Sequence, residues 1–166
     1  MTSPDPDGLE RLWTPWRMAY VSGGAKPTEC PFCVAPVSDP DALVVARGEA
    51  VYAVLNRFPY NPGHLLICPY RHIDDYPELD AAETAELAEF TKTAMRVVRK
   101  VSNAHGFNIG LNQGHAAGAG IAAHLHQHVV PRWGGDNNFL PVVARTKALP
   151  QLLTDTRDLL REAWPA

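Results

Sequence analysis

Three of the seven histidines stand at alternate positions in the run His124-Leu125-His126-Gln127-His128-Val129-Val130. On an extended strand, alternate side chains share a face, so His124, His126 and His128 form a row about 13 Å long at roughly 3.3 Å per residue. Imidazoles have no packing rationale in such a row, because each carries polar nitrogens that need partners. Two chemistries suit them. One is a metal site, which needs further ligands and finds only Asp136 nearby. The other is nucleophilic catalysis. A neutral imidazole nitrogen attacks phosphorus once its other nitrogen is hydrogen-bonded, and flanking imidazoles hold phosphate oxygens or protonate a leaving group.

The preceding loop favours the second chemistry. Gly114-His115-Ala116-Ala117-Gly118-Ala119-Gly120-Ile121 is small and glycine-rich, so backbone can approach a ligand closely and successive amides can cradle an anion. A second reactive pair is Cys30-Pro31-Phe32-Cys33, a C-x-x-C with the spacing of half a zinc site. A redox pair would open a helix in a βαβ context, whereas this one follows a proline-rich stretch. With Cys68 the cysteines number three, a poor disulfide framework. Cys68 lies in an apolar run and reads as a small core residue.

The elements that carry these groups are partly legible. Leu43–Arg47 and Val51–Asn56 read as a hairpin around Gly48-Glu49-Ala50. Asn61-Pro62-Gly63 is a turn, and His64–Cys68 reads as a buried strand. Asp80 to Asn103 is the clearest helix. Asp80 and Glu83 form a capping box, and Leu87, Phe90, Ala94, Val97, Val98 and Val101 form an apolar stripe. Arg96, Arg99 and Lys100 suit its C-terminal dipole, and Gly106 is expected to end it. Phe107–Asn112 and His124–Val130 are strands. Pro150 is expected in the first turn of a last helix with Leu152, Leu153, Leu159, Leu160 and Trp164 on its apolar side. The pattern predicts an α+β fold: a mostly antiparallel sheet, one long helix and a C-terminal helix.

The bulk properties narrow the function. The 166 residues, 46% of them hydrophobic, make one domain with a real core. A net charge of −3 argues against a sequence-independent nucleic-acid binder. No apolar run is long enough to span a membrane, and none looks like a signal peptide, so the expectation is a cytoplasmic protein. The Trp- and Tyr-bearing stretch Leu9–Tyr20 reads as an arm packed on its own body or at a dimer or substrate edge. The expected organisation is an N-terminal arm at 1–29 and a domain at 30–166.

The His124–Val130 run resembles the signature of the histidine triad (HIT) family, with Gln127 at a usually apolar slot. The resemblance covers nearly the whole chain. Asn56-Arg57-Phe58-Pro59-Tyr60-Asn61-Pro62-Gly63-His64 is similar to the family's nucleoside-pocket segment, and Asn112-Gln113-Gly114 to its phosphate-side turn. The segment 131–139 and Trp13-Thr14-Pro15-Trp16-Arg17-Met18 look like the bacterial branch that includes dinucleoside tetraphosphate phosphorylases. The resemblance implies an α+β homodimer. It also implies a nucleotidyl transferase or hydrolase that cleaves dinucleoside polyphosphates through a nucleotidyl-histidine intermediate. His126 matches the nucleophile and His128 a phosphate-contacting catalytic residue. Asn56 matches the ribose side, and Asn112 the residue beside the α-phosphate and leaving group. Gly118, Ala119, Gly120 and Ile121 fall in the phosphate loop. Many hydrolases of the family carry Gln-Ser or Gln-Thr where this chain has Gly120-Ile121. The missing amide and hydroxyl leave room for inorganic phosphate as acceptor and favour phosphorolysis. Alternative readings are a nucleoside phosphoramidate hydrolase and a nucleotide-binding module with little turnover.

The resemblance also suggests how the C-x-x-C is completed. His72 and His124 match the histidines that join it in zinc-bearing relatives. Cys30, Cys33, His72 and His124 would then hold a structural zinc, since protein fills all four positions. Among the remaining residues, His64 reads as locally hydrogen-bonded at a strand start, and His105 as a cation at a helix C-terminus. His115 is either a phosphate contact or an exposed loop residue. Trp133 is either core packing or a contact at the rim of the nucleotide pocket.

Overall fold

The computed structural model describes residues 29–37, 43–136 and 149–165. The Leu9–Tyr20 arm and positions 137–139 lie outside the described residues. Five strands form one antiparallel sheet: β1 (Val44–Arg47), β2 (Val51–Leu55), β3 (Leu65–Pro69), β4 (Gly106–Leu111) and β5 (Gln127–Arg132). Their spatial order is β1-β2-β3-β5-β4. The last strand in sequence is therefore inserted between β3 and β4, and its ladder is hydrogen-bonded on both sides. Among the described residues three α-helices accompany the sheet: α1 (Pro31–Val34), α2 (Ala81–Ser102) and α3 (Leu153–Ala163). Among the described residues no helix is long and apolar enough to cross a membrane.

Both central strands are buried on both faces, which is why they read as continuous apolar runs. One face of β2 and β3, with Val51, Ala53, Leu55, Leu65 and Ile67, packs on Leu87, Ala94, Val97 and Val98 of α2 and on Leu160 of α3. The other face presents Tyr52, Val54, Leu66 and Cys68 to Phe32 of α1. The histidine chemistry sits on that second face.

Helix α2 starts as its sequence dictates. The Asp80 carboxylate accepts from the Glu83 amide at 2.8 Å, and the Glu83 carboxylate accepts from the Asp80 amide at 3.0 Å. The stop differs from expectation. Asn103, with φ 52°, takes the left-handed position, and Gly106 instead opens β4. Asn tolerates that conformation, so the helix closes three residues before the glycine. Val101, expected in the stripe, is 38% exposed. Helix α3 begins at Leu153 rather than at Pro150, because Leu152 is extended. Leu160 is the buried anchor, Trp164 packs on Phe90, and Leu152 and Leu159 face outward.

The β1–β2 turn is held from α2. The Glu86 carboxylate accepts the amides of Glu49, Ala50 and Val51 at 2.8, 2.6 and 3.0 Å. A Cβ on Gly48 would meet the Glu86 carboxylate and the Phe90 ring, so glycine lets the turn come this close to α2. Glu86→Ala leaves these amides without their acceptor and is expected to lower stability by about 1–3 kcal/mol. Urea unfolding measures the effect, and an unchanged midpoint would show that water replaces the carboxylate at no cost.

Candidate active site and metal centre

The ladder of β5 begins only at Gln127, paired with Ile67 and Leu111. His124, Leu125 and His126 lie just before it, so the three histidines are not all on one regular strand as the alternation predicts. Leu125 donates its amide to the Ile73 carbonyl at 2.7 Å, which holds this lead-in segment. The imidazoles still gather on the Phe32 face. The His126 and His128 rings are 5.1 Å apart, and the Phe32 ring lies 4.8 Å from His126 and 5.6 Å from His124. Gln127 turns to the opposite face and donates to Thr91 of α2 at 2.6 Å, which satisfies a buried amide in a usually apolar slot.

Backbone groups determine which nitrogen of each histidine carries the proton. His126 Nδ1 lies 2.8 Å from the His124 carbonyl, which can only accept, so Nδ1 is the protonated nitrogen and Nε2 keeps its lone pair. Burial lowers the His126 pKa and keeps the ring neutral. His64 Nδ1 accepts from the Tyr60 amide at 3.1 Å, so the proton of this neutral ring is on Nε2. That Nε2–H donates to His128 Nδ1 at 2.9 Å. His128 is thereby left with its own proton on Nε2. The result is one imidazole whose Nε2 carries a lone pair beside one whose Nε2 carries the proton. Tyr60 completes the arrangement, its ring nearly parallel to His128 at 8° with centroids 5.7 Å apart.

His64 was expected to be hydrogen-bonded locally, and it is. It also reaches His128, a role the sequence reading did not assign. The available signal was parity: His64 shares its strand face with Leu66 and Cys68. Burial, then the neighbouring His128 and His126, lowers its pKa to about 3 from an ordinary 6.5. Because the folded value is the lower one, the unfolded chain binds more protons between the two. Stability that is complete above pH 6.5 is therefore lost as pH falls toward 3. We expect the urea midpoint to drop across that window, and to drop less steeply in His64→Asn; an equal slope in the variant would place the acid sensitivity elsewhere.

The other expected contacts fall as follows. Asn56 Oδ1 accepts the Phe58 amide at 2.9 Å, and its Nδ2 lies 3.4 Å from His64 Nδ1. Gly110 pairs with His128 and Leu111 with Gln127, so Asn112 follows at the His126 end of β4. In the glycine loop, the amides of Ala117, Gly118 and Ala119 are used on the carbonyls of Gly114 and His115. Gly118 and Ala119 thus shape the turn, with Gly118 at φ 81°. The turn does not use the amides of Gly120 and Ile121. The Ile121 side chain packs against the Phe32 cluster. His115 is exposed.

Trp133 shares the parity of Val129, so it packs on the helix side of the sheet and donates its indole N–H to the Ser102 carbonyl at 3.0 Å. Of its two expected places, these contacts support core packing. His105 Nδ1 accepts the Gly134 amide at 3.0 Å, which ties the segment after α2 to the turn after β5. Asp136 is also committed elsewhere. It pairs with Arg132 at 2.6 Å and accepts from Asn61 at 2.8 Å, contacts that hold its carboxyl well below the usual range. An all-histidine metal site therefore loses its only nearby acid.

A different metal-ligating group does form. Ligand atoms of Cys30, Cys33, His72 and His124 all lie within 4.8 Å of one another. His124 Nδ1 is 3.4 Å from Cys30 Sγ and 3.5 Å from Cys33 Sγ, and His72 Nδ1 is 3.2 Å from Cys33 Sγ. Zn–S bonds of about 2.3 Å and Zn–N bonds of about 2.0–2.1 Å give tetrahedral S···N edges of about 3.5 Å. His124 Nε2 donates to the Pro69 carbonyl at 2.9 Å, which leaves Nδ1 deprotonated and aimed at the sulfurs. Burial and the adjacent Cys30 raise the Cys33 thiol pKa, a cost that a cation between the thiolates offsets. The turn carrying His72 is anchored by a bidentate Arg71–Glu83 pair at 2.6 Å. The donor set and its spacing fit zinc.

Comparison with known proteins gives concordant matches. The HIT domain profile matches residues 38–135. The AP-4-A phosphorylase of Mycobacterium tuberculosis is 52% identical over 168 residues, covering 95% of this chain and 86% of the relative. A zinc-bound histidine triad family protein from Mycobacterium smegmatis superposes with a TM-score of 0.66 at 29% identity, covering 81% of this chain and 91% of that one. A hypothetical histidine triad nucleotide-binding protein from Sulfolobus tokodaii superposes with a TM-score of 0.68 at 29% identity, with the same coverage.

Proposed function

The chain belongs to the histidine triad family, and on that premise we propose that it cleaves dinucleoside polyphosphates such as diadenosine tetraphosphate, with His126 as nucleophile. The observation that carries the assignment is the His126 ring, whose Nδ1–H is held on the His124 carbonyl so that Nε2 presents its lone pair. Nε2 attacks the α-phosphorus. The N–P bond forms as the bridging P–O bond breaks, and its electron pair leaves with the nucleoside polyphosphate. His128 Nε2–H donates to the phosphate oxygens that gain charge. In the second half, an acceptor oxygen attacks the same phosphorus, and the N–P electron pair returns to His126. Asn56 serves the ribose side. Asn112 serves the α-phosphate and leaving group, and the loop ending in Gly120-Ile121 faces the phosphates.

Inorganic phosphate is the favoured acceptor. Ile121 packs its side chain against the Phe32 cluster and supplies no hydroxyl. The relative named as a phosphorylase is 52% identical. Diadenosine tetraphosphate with phosphate is expected to yield ATP and ADP. ATP and AMP would instead mean hydrolysis, and binding without turnover would leave a nucleotide-binding module.

Cys30, Cys33, His72 and His124 would hold a structural zinc, which ties α1 to the approach to β5 and leaves the chemistry to the histidines. This makes the domain start at residue 30, with 1–29 as an arm. A zinc pair of reduced thiols suits the cytoplasm. The homodimer is supported by β4, an edge strand with neither proline nor charge and with Asn108, Ile109 and Gly110 exposed.

A further inference from the structure

The residues between the two cysteines do more than space them. Cys33 and Val34 donate their amides to the Cys30 carbonyl at 3.0 and 3.1 Å, which winds α1 into one tight turn. That turn drives Phe32 inward, to 8% exposure, while Cys30 and Cys33 point to the metal group. The Phe32 carbonyl accepts from the buried Tyr52 hydroxyl at 2.6 Å, so its backbone is pinned to β2. The Phe32 ring meets the His126 imidazole at 4.8 Å and 38°, and the His124 ring at 5.6 Å and 63°. Leu66, Cys68 and Ile121 close the cluster around it.

His126 is held at one edge by the bond from Nδ1 to the His124 carbonyl. A single hydrogen bond leaves an imidazole able to tilt about it, and a tilt displaces Nε2, the reacting atom. Phe32 restrains that tilt from the ring's face. Phe32 in turn stands between two metal ligands one and two residues away, so its place depends on how the cysteines are held.

The geometry points to Phe32 as a positioning residue that couples the Cys30–Cys33 knuckle to the nucleophile, so that metal occupancy aims His126 through the Phe32 ring. The inference rests on His126 being the nucleophile. It assigns Phe32 no contact with substrate and no step in the reaction.

The test is a cycle of metal and side chain. Wild type and Phe32→Leu are prepared zinc-loaded and chelator-stripped, at a temperature where far-UV circular dichroism shows all four forms folded. The rate of adduct formation on His126 is read by alkaline quench after mixing with diadenosine tetraphosphate. The His126 ring C–H resonances are read by NMR without substrate. Stripping is expected to slow adduct formation in wild type by about tenfold or more, since an ångström of misplacement costs up to about 10²-fold. It is also expected to move the His126 resonances. Loaded Phe32→Leu should retain zinc and KM within about twofold, should resemble the stripped wild type in rate, and should respond little to stripping. Phe32→Met replaces Phe32→Leu if the latter loses its metal. An equal response to stripping in wild type and variant overturns the coupling, as does a wild type indifferent to stripping. Absence of any adduct in loaded wild type would refute the nucleophile assignment instead, and the NMR arm still decides whether metal and His126 communicate through Phe32.

Discussion

His126→Ala is expected to lower kcat by about 10⁴-fold or more while nucleotide affinity changes only a few-fold. The size follows from the geometry. Among the described contacts of the triad, His126 Nε2 carries the lone pair for attack, because His124 turns Nδ1 to the two cysteine sulfurs and donates Nε2–H to the Pro69 carbonyl, and His128 Nδ1 accepts from His64. Affinity survives because the ribose and phosphate contacts are assigned to Asn56, Asn112, His128 and the glycine loop. The same reading requires a covalent nucleotide on His126 during turnover. A phosphoramidate is labile in acid and stable in base, so alkaline quench and mass analysis should find the added mass, and His126→Ala should not show it. Near-wild-type turnover in the variant, or turnover with inversion at phosphorus and no adduct at any time, would replace the double displacement by direct in-line attack.

Protein purified without chelators is expected to carry about one zinc per chain, and Cys30→Ser to lose it. The variant also loses the tie between α1 and the lead-in to β5. Its Tm should fall by more than about 6 °C, the shift that roughly 3 kcal/mol produces in a chain of this size. Below its Tm the variant should already show the roughly tenfold slower adduct formation expected of the metal-free wild type, and the remaining activity should be lost on warming. His124→Ala should be harsher, since it removes a ligand, the bond to Pro69 and a ring packed on Phe32. Thiolate ligands must be deprotonated, so zinc affinity should weaken as pH falls. Metal analysis and thermal melts measure both effects. Absence of zinc, or equal stability of Cys30→Ser and wild type, would leave Cys30 and Cys33 as a packing pair.

Features decided by neighbours in the chain were legible before any fold was known. The Asp80–Glu83 capping box starts α2 where the local pattern places it, because both of its hydrogen bonds close within four residues. The hairpin of β1 and β2 follows from two apolar runs and a short turn. Misreadings cluster where a local signal competes with packing. Asn103 ended the helix ahead of Gly106, and Leu159 turned outward because Leu160 took the core position.

The chemical groups were present in the sequence by type and spacing: alternate histidines, a glycine loop, a C-x-x-C. Those alone pointed to a phosphorus-directed histidine site, with an all-histidine metal site as the rival, and to the spacing of half a zinc site. Only the tertiary structure decided which nitrogen does what. His64 meets His128 across 64 positions, and Cys33 meets His72 across 39. Such contacts arise from strand pairing and burial, which no local pattern encodes. A tautomer is determined by whichever donor or acceptor folding brings to the ring's other nitrogen, and for His126, His128 and His124 those partners are a carbonyl, another histidine and a second carbonyl.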